Sequence, residues 1–174
     1  MDKNIEVVDD FLNQKEIQDL YNLLRSPGTT WFIGPDHSDS TIKNKSFVKA
    51  YKYDDELLSL VNNYSCIKQI YLKIKERNIK NTTSLGQIYF NCVKTGDKFD
   101  FHTDCEGTSV LVYLNPQWKF WWGSGTQFKK PNKIIRPKPG RAIFFDGKIE
   151  HRCIAPNYFM EDFGRLSIVM QFDR

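Results

Sequence analysis

From residue 84 onward, short β-rich runs alternate with turn signals, and this rhythm constrains the fold of the chain more than any other feature. The runs cover residues 87–93, 98–103, 108–114, 125–128, 133–136, 141–145, 150–154 and 165–172. Thr95-Gly96, Asn115-Pro116, Pro139-Gly140 and Asp146-Gly147 supply residues that suit chain reversal. Closely spaced short strands of this kind predict a sandwich or barrel. A double-sheet jelly roll (a double-stranded β-helix) of about eight strands fits best.

The first part of the chain has a different texture. Asn13 with Glu16 three positions on forms a capping-box pattern. Behind it Ile17, Leu20, Tyr21 and Leu24 recur at helical spacing, and Ser26-Pro27-Gly28 stops the helix. A second helical region, capped by Asp54 or Asp55, repeats the spacing at Ile67, Ile70, Tyr71 and Ile74 and ends over 78–81. Between them, residues 29–46 carry Gly34, Pro35, His37 and several serines and read as a loop with room for one short strand. With no repeat, linker or low-complexity tract, the expectation is a single α+β domain over 1–174. Its helical support spans about 1–82, its jelly-roll core spans about 83–174, and its helices pack on one sheet.

Composition agrees with this. A chain of 174 residues with 40% hydrophobic and 14% aromatic content can bury a core. No stretch approaches the roughly 20 apolar residues that span a bilayer. Residues 1–6 have neither a basic nor an apolar signal region, so a cytoplasmic protein without a membrane partner is expected. Cys66, Cys92, Cys105 and Cys153 lack CxxC spacing and read as buried thiols. The net charge of +4 is mild. Its densest source (Lys129, Lys130, Lys133, Arg136, Lys138 and Arg141) reads as a solvated rim, with an anionic partner as the alternative.

His102-Thr103-Asp104 carries the chemistry. On a strand, side chains two apart share a face, so an imidazole and a carboxylate point the same way. HxD alone is common. A histidine returning from a distant strand, such as His151, would complete a 2-His-1-carboxylate set, which suits non-haem Fe(II) and leaves coordination positions open. Structural metal sites are usually closed and thiolate-rich, so three ligands without a fourth favour an enzyme over a cupin-like binding module. The bland alternative makes His102 and His151 ordinary core or surface histidines; His37, in its polar loop, is read that way.

Several segments in order resemble a known family. Gly96-Asp97-Lys98-Phe99-Asp100-Phe101-His102-Thr103-Asp104 resembles the iron-binding strand of the 2-oxoglutarate- and Fe(II)-dependent dioxygenases, in their prolyl-4-hydroxylase-like branch. Tyr113-Leu114-Asn115-Pro116-Gln117-Trp118 is similar to that branch's YLNxxW strand end. The segment from Pro139-Gly140-Arg141 through Phe145-Asp146 to Glu150-His151-Arg152 is similar to its PGR…F…HR stretch, and Arg165-Leu166-Ser167 completes the order. A weaker echo lies over residues 5–12.

The resemblance implies that His102, Asp104 and His151 hold Fe(II) and that 2-oxoglutarate and O2 use the open positions. It implies decarboxylation of 2-oxoglutarate to succinate and CO2, with ascorbate as a candidate reductant. The bond hydroxylated would be a substrate C–H bond, first of all in a prolyl residue of a peptide or protein. Arg165 would meet the distal carboxylate of 2-oxoglutarate with its planar fork. Ser167, on the same strand face, would add a hydroxyl, with Leu166, Ile168, Met170 and Phe172 on the opposite face. Tyr113 matches a position whose phenol donates to that carboxylate, with a core tyrosine as the alternative. The tyrosine that the branch carries before the first ligand is Val93 or Cys92 here, and Tyr89 is the candidate substitute.

Other departures are a Gly123-Ser124-Gly125 turn for a Gly-Gly pair and a long interval from His151 to Arg165, which predicts a loop over 156–164. Asp104 argues against halogenation. The group of AlkB-like nucleic-acid demethylases carries a second arginine where Gln171 stands, which disfavours nucleic acid, while a small-molecule substrate stays open. Trp118, Phe120, Trp121 and Trp122 read as packing under a loop or as a substrate wall. Cys105, beside a ligand, and Cys153, on the face of His151, are candidate oxidation sites. Oligomeric state is not readable.

Overall fold

The computed structural model describes residues 4–27, 32–34, 46–52, 59, 61–79, 84–157 and 164–173. His37, Asp54, Asp55 and most of the expected loops over 29–46 and 156–164 lie outside the described residues.

Helix α1 spans Gln14–Arg25, and its start is the capping box read from the sequence. Asn13 Oδ1 accepts the Glu16 amide at 3.0 Å, and Glu16 Oε2 accepts the Asn13 amide at 2.7 Å, so two otherwise unsatisfied donors are used. Ile17, Leu20, Tyr21 and Leu24 are its buried face. Helix α2, Ser65–Glu76, buries Ile67, Ile70 and Ile74, and Tyr71 stacks on Phe172 with ring centroids 6.3 Å apart. Lys73 of α2 reaches back to Glu16 at 2.7 Å, tying the helices together.

Strands β1 (Ile5–Val8), β2 (Phe32–Gly34), β3 (Ser46–Lys52), β4 (Ser84–Val93), β5 (Thr108–Tyr113), β8 (Ala142–Asp146) and β10 (Arg165–Asp173) form a seven-stranded sheet in the order β1-β8-β5-β10-β4-β3-β2. The remaining strands, β6 (Gly123–Phe128), β7 (Lys133–Ile135) and β9 (His151–Pro156), form a second sheet in the order β7-β6-β9. All pairings are antiparallel, and the two sheets with helices on one face fit a jelly-roll core.

Two differences from the sequence reading matter. The expected strand over 98–103 is irregular, apart from a single bridge between His102 and His151. Within it only His102 meets a partner, His151 at the start of β9, and the residues before His102 run alongside without regular pairing. The region expected to be helical support also contributes β1, β2 and β3, which extend both ends of the large sheet. β1 pairs Ile5 with Phe145, which gives the edge of β8 its hydrogen-bond partners.

The large sheet separates two cores. On the helix side, Ile88 and Phe90 of β4, Val110 and Val112 of β5, and Ile168 and Met170 of β10 pack with the apolar faces of α1 and α2. Burying each such side chain contributes roughly 1.5–3 kcal/mol. Between the sheets lie Tyr89, Leu111, Tyr113, Phe128, Phe145 and Val169. Among the described residues no helix is long and apolar enough to cross a membrane.

Candidate metal centre

His102 and His151 come together through their backbones. Each amide donates to the other residue's carbonyl at 2.9 Å, and two residues on the Asp104 amide donates to Gly147 O at 2.8 Å. These bonds aim three side chains at one point. Asp104 Oδ1 lies 3.7 Å from His102 Nε2 and 3.6 Å from His151 Nε2, and the three ligating atoms all fall within 4.8 Å of one another.

The second nitrogen of each ring faces a main-chain oxygen. His102 Nδ1 is 3.2 Å from Asp100 O, and His151 Nδ1 is 2.9 Å from Ile149 O. Since a carbonyl only accepts, Nδ1 carries the proton in both rings and Nε2 keeps the lone pair that a metal needs. The His151 ring is wedged against Phe145 at 4.7 Å and Phe128 at 5.9 Å, which restricts its rotation.

Asp104 has its side chain 2% exposed, and its Oδ2 is buried without a hydrogen-bond partner. A buried carboxylate with an orphaned oxygen is costly unless a cation approaches it. Two imidazole acceptors and such a carboxylate on one side of a point fit a divalent transition metal.

The triad lines a cleft with an empty volume of about 360 Å³, its solvent-open part included. Tyr89, Asn91, Thr126, Cys153 and Arg165 line it as well. Arg165 opens β10 and is only 1% exposed. Its Nη1 donates to Gly125 O at 2.9 Å, its guanidinium lies 5.4 Å from the centre of the Tyr113 ring, and its Nε has no partner. Among the described residues no carboxylate pairs with it. Glycine is required at 125, because a Cβ there would come within 2.8 Å of Ile135 O, and a displaced β6 would withdraw the carbonyl from Arg165.

The other residues singled out from the sequence divide. Ser167 shares the inward face of β10 with Arg165, and its Oγ is buried without a partner. Tyr89 lines the cleft. Tyr113 does not, and its implied donation to a co-substrate carboxylate is not what the phenol does here. The hydroxyl donates to Ile135 O at 3.1 Å and lies 2.9 Å from Thr126 Oγ1, and burial pushes the phenol pKa up. Thr126 stands in the cleft instead. Asn91 and Thr126 were not singled out, since a lone polar residue in a mixed strand gives no pattern. The only available signal was spacing, with Asn91 two residues after Tyr89 on one strand.

The aromatic segment is split. Trp118 and Trp122 pack edge to face at 5.4 Å and are half-buried, whereas Phe120 and Trp121 are 76% and 56% exposed, so packing under a loop does not hold for these two. Of the four free thiols, Cys92 is pushed up to about 12 by burial and Cys105 is raised for the same reason. Cys153 lines the cleft.

No protein-family model matches the chain, and no curated protein matches it in sequence. Its structure does match solved ones. A prolyl-4-hydroxylase from Pseudomonas putida superposes with a TM-score of 0.68 at 17% identity, covering 98% of this chain and 92% of that one. The fold is that of the 2OG-Fe(II) oxygenases. A viral collagen prolyl hydroxylase from Paramecium bursaria Chlorella virus-1, solved as its 2OG complex, has a TM-score of 0.68 at 19% identity, covering 97% of this chain and 94% of that one. An oxidoreductase of the 2OG-Fe(II) oxygenase family from Burkholderia pseudomallei has a TM-score of 0.64 at 13% identity, covering 99% and 85%.

Proposed function

We propose that the chain is a single-domain 2-oxoglutarate- and Fe(II)-dependent dioxygenase that hydroxylates a C–H bond, with a prolyl residue of a peptide or protein as the preferred substrate. One observation carries the reading. The orphaned carboxylate oxygen of Asp104 and the buried guanidinium of Arg165, which no carboxylate among the described residues pairs with, face the same cleft. A cation satisfies the first and an anion the second, and a metal-chelated dicarboxylate supplies both charges together. The neighbours named as prolyl hydroxylases support the prolyl substrate.

His102, Asp104 and His151 would hold Fe(II), which supplies activation of O2 coupled to the decarboxylation of 2-oxoglutarate to succinate and CO2. The work of this chain is positional. Ile149 O and Asp100 O fix the ring tautomers. Arg165, anchored by Gly125 O and underlain by Tyr113, presents its free Nε edge to a carboxylate. Phe145, Leu111 and Val169 wall the cleft with apolar surface that excludes water and strengthens those electrostatic contacts.

The test is anaerobic addition of Fe(II) and 2-oxoglutarate. A visible charge-transfer band is expected from the wild type, with His102→Ala or Asp104→Ala losing it. In air, succinate should form, and prolyl peptides should gain one oxygen by mass. Absence of both band and succinate sinks the oxygenase. A band without peptide oxidation removes only the prolyl substrate.

A further inference from the structure

Opposite Arg165 in the β4–β10 pairing stands Val93, which offers a ligand no hydrogen bond. The next inward-facing pair along the two strands is Asn91 and Ser167, directly opposed. Both carry a buried polar atom without a partner, Asn91 Oδ1 and Ser167 Oγ, and Asn91 lines the cleft. With Arg165 Nε, three unsatisfied polar atoms therefore lie on adjacent inward positions of two paired strands. An unmade hydrogen bond at a buried group destabilises the folded state. Two of the three residues, Arg165 and Asn91, line the cleft, and their unmet bonds mark a wall shaped for a polar ligand rather than for packing.

We propose that Asn91 is a positioning residue for the co-substrate. Its carboxamide hydrogen-bonds an oxygen of the bound 2-oxo acid, with the Ser167 hydroxyl across from it. This rests on the oxygenase reading above. The unpartnered atom is the amide oxygen, which only accepts; turned over in the same space, the carboxamide places its N–H there, the donor that an anionic oxygen requires. One strand pair thus grips the ligand at two levels, by charge at Arg165 and by neutral donors one pleat further along. This second grip stands where Val93 leaves a gap.

The test titrates 2-oxoglutarate into the anaerobic Fe(II) protein, following the charge-transfer band, and measures the thermal midpoint of each ligand-free variant. Asn91→Leu is expected to bind 2-oxoglutarate roughly tenfold more weakly, the order of one hydrogen bond to a charged group. Its ligand-free midpoint should be unchanged or higher, because a buried polar atom has been removed. Asn91→Asp should weaken binding further by setting a carboxylate against an anion. Asn91→Ser, smaller and still polar, serves if leucine does not fit. Mn(II) binding without 2-oxoglutarate should stay at the wild-type value in Asn91→Leu and Asn91→Ser, the two uncharged variants. A merely structural role would lower the midpoint and leave the affinity intact, and that result overturns the proposal. A wild-type band with unchanged affinity in the variants defeats Asn91 alone, whereas no wild-type band defeats the oxygenase and this inference with it.

Discussion

Along β10 the two faces of the large sheet can be compared residue by residue. Leu166, Ile168 and Met170 turn toward α1 and α2 and join the apolar cluster that those helices cover. Arg165 and Ser167 turn toward the second sheet, and both hold a polar atom without a partner. The contrast extends to β4, whose Ile88 and Phe90 pack on the helix side while Asn91 faces the cleft. No orphaned polar group among the described residues belongs to the helix-side core. Both faces bury apolar side chains, but only the inward one also keeps donors and acceptors free for ligands, a local departure expected at a functional site.

The sharpest way to break this division is a paired experiment. Ile168→Ala should cost about 2–5 kcal/mol in a denaturant melt by opening a cavity on the helix face, with no change in 2-oxoglutarate affinity. Arg165→Met should do the reverse. Replacing a buried charge with an apolar chain of similar length is often neutral or stabilising, so the ligand-free melt should not fall. Binding of 2-oxoglutarate should fall by about a hundredfold, read from the charge-transfer titration. If both variants lose stability and affinity together, the two faces are not separable.

Smaller effects sharpen the same picture away from the cleft. Asn13→Ala removes the cap of α1 and should cost about 1 kcal/mol in a melt while leaving metal binding untouched. Asp9 is held below its ordinary value of 3.8, mainly by a hydrogen bond from Arg141, with Lys138 contributing. A depressed carboxyl adds stability that is complete above the unfolded value and is lost as pH falls through the lower folded value. Asp9→Asn should therefore flatten the acid limb of the stability profile below about pH 4, by less than about 1 kcal/mol because the pair is exposed to solvent.

Most of the helix-side face was legible from the sequence, because periodicity records burial directly. Ile17, Leu20, Leu24, Ile67, Ile70 and Ile74 are buried as their spacing requires, and the alternation on β10 separates Arg165 and Ser167 from Ile168 and Met170. Strands β1 and β3 were not legible. They are short or irregular in pattern, and pairing with residues far along the chain defines them more than their own composition does. At the site, residue types with restricted chemistry gave themselves away, namely His102, Asp104, His151 and Arg165. Asn91 and Thr126 did not, since an ordinary polar residue acquires meaning only from what faces it. Tyr113 stands outside the cleft lining, and its hydroxyl meets Ile135 O, a partner that no local pattern in the sequence announces.

The reciprocal backbone bond between His102 and His151 has a consequence for how the centre comes into being. Two of the three ligands are joined by a single rung that closes a long excursion of the chain, so the loop-closure entropy must be overcome before either ring has a partner. The ligand set therefore exists only where residues far apart in the chain have paired. A metal held by all three side chains would tie those two distant parts of the chain together. The amide hydrogens of His102 and His151 should exchange with solvent at one common rate, and that rate should slow on addition of the metal.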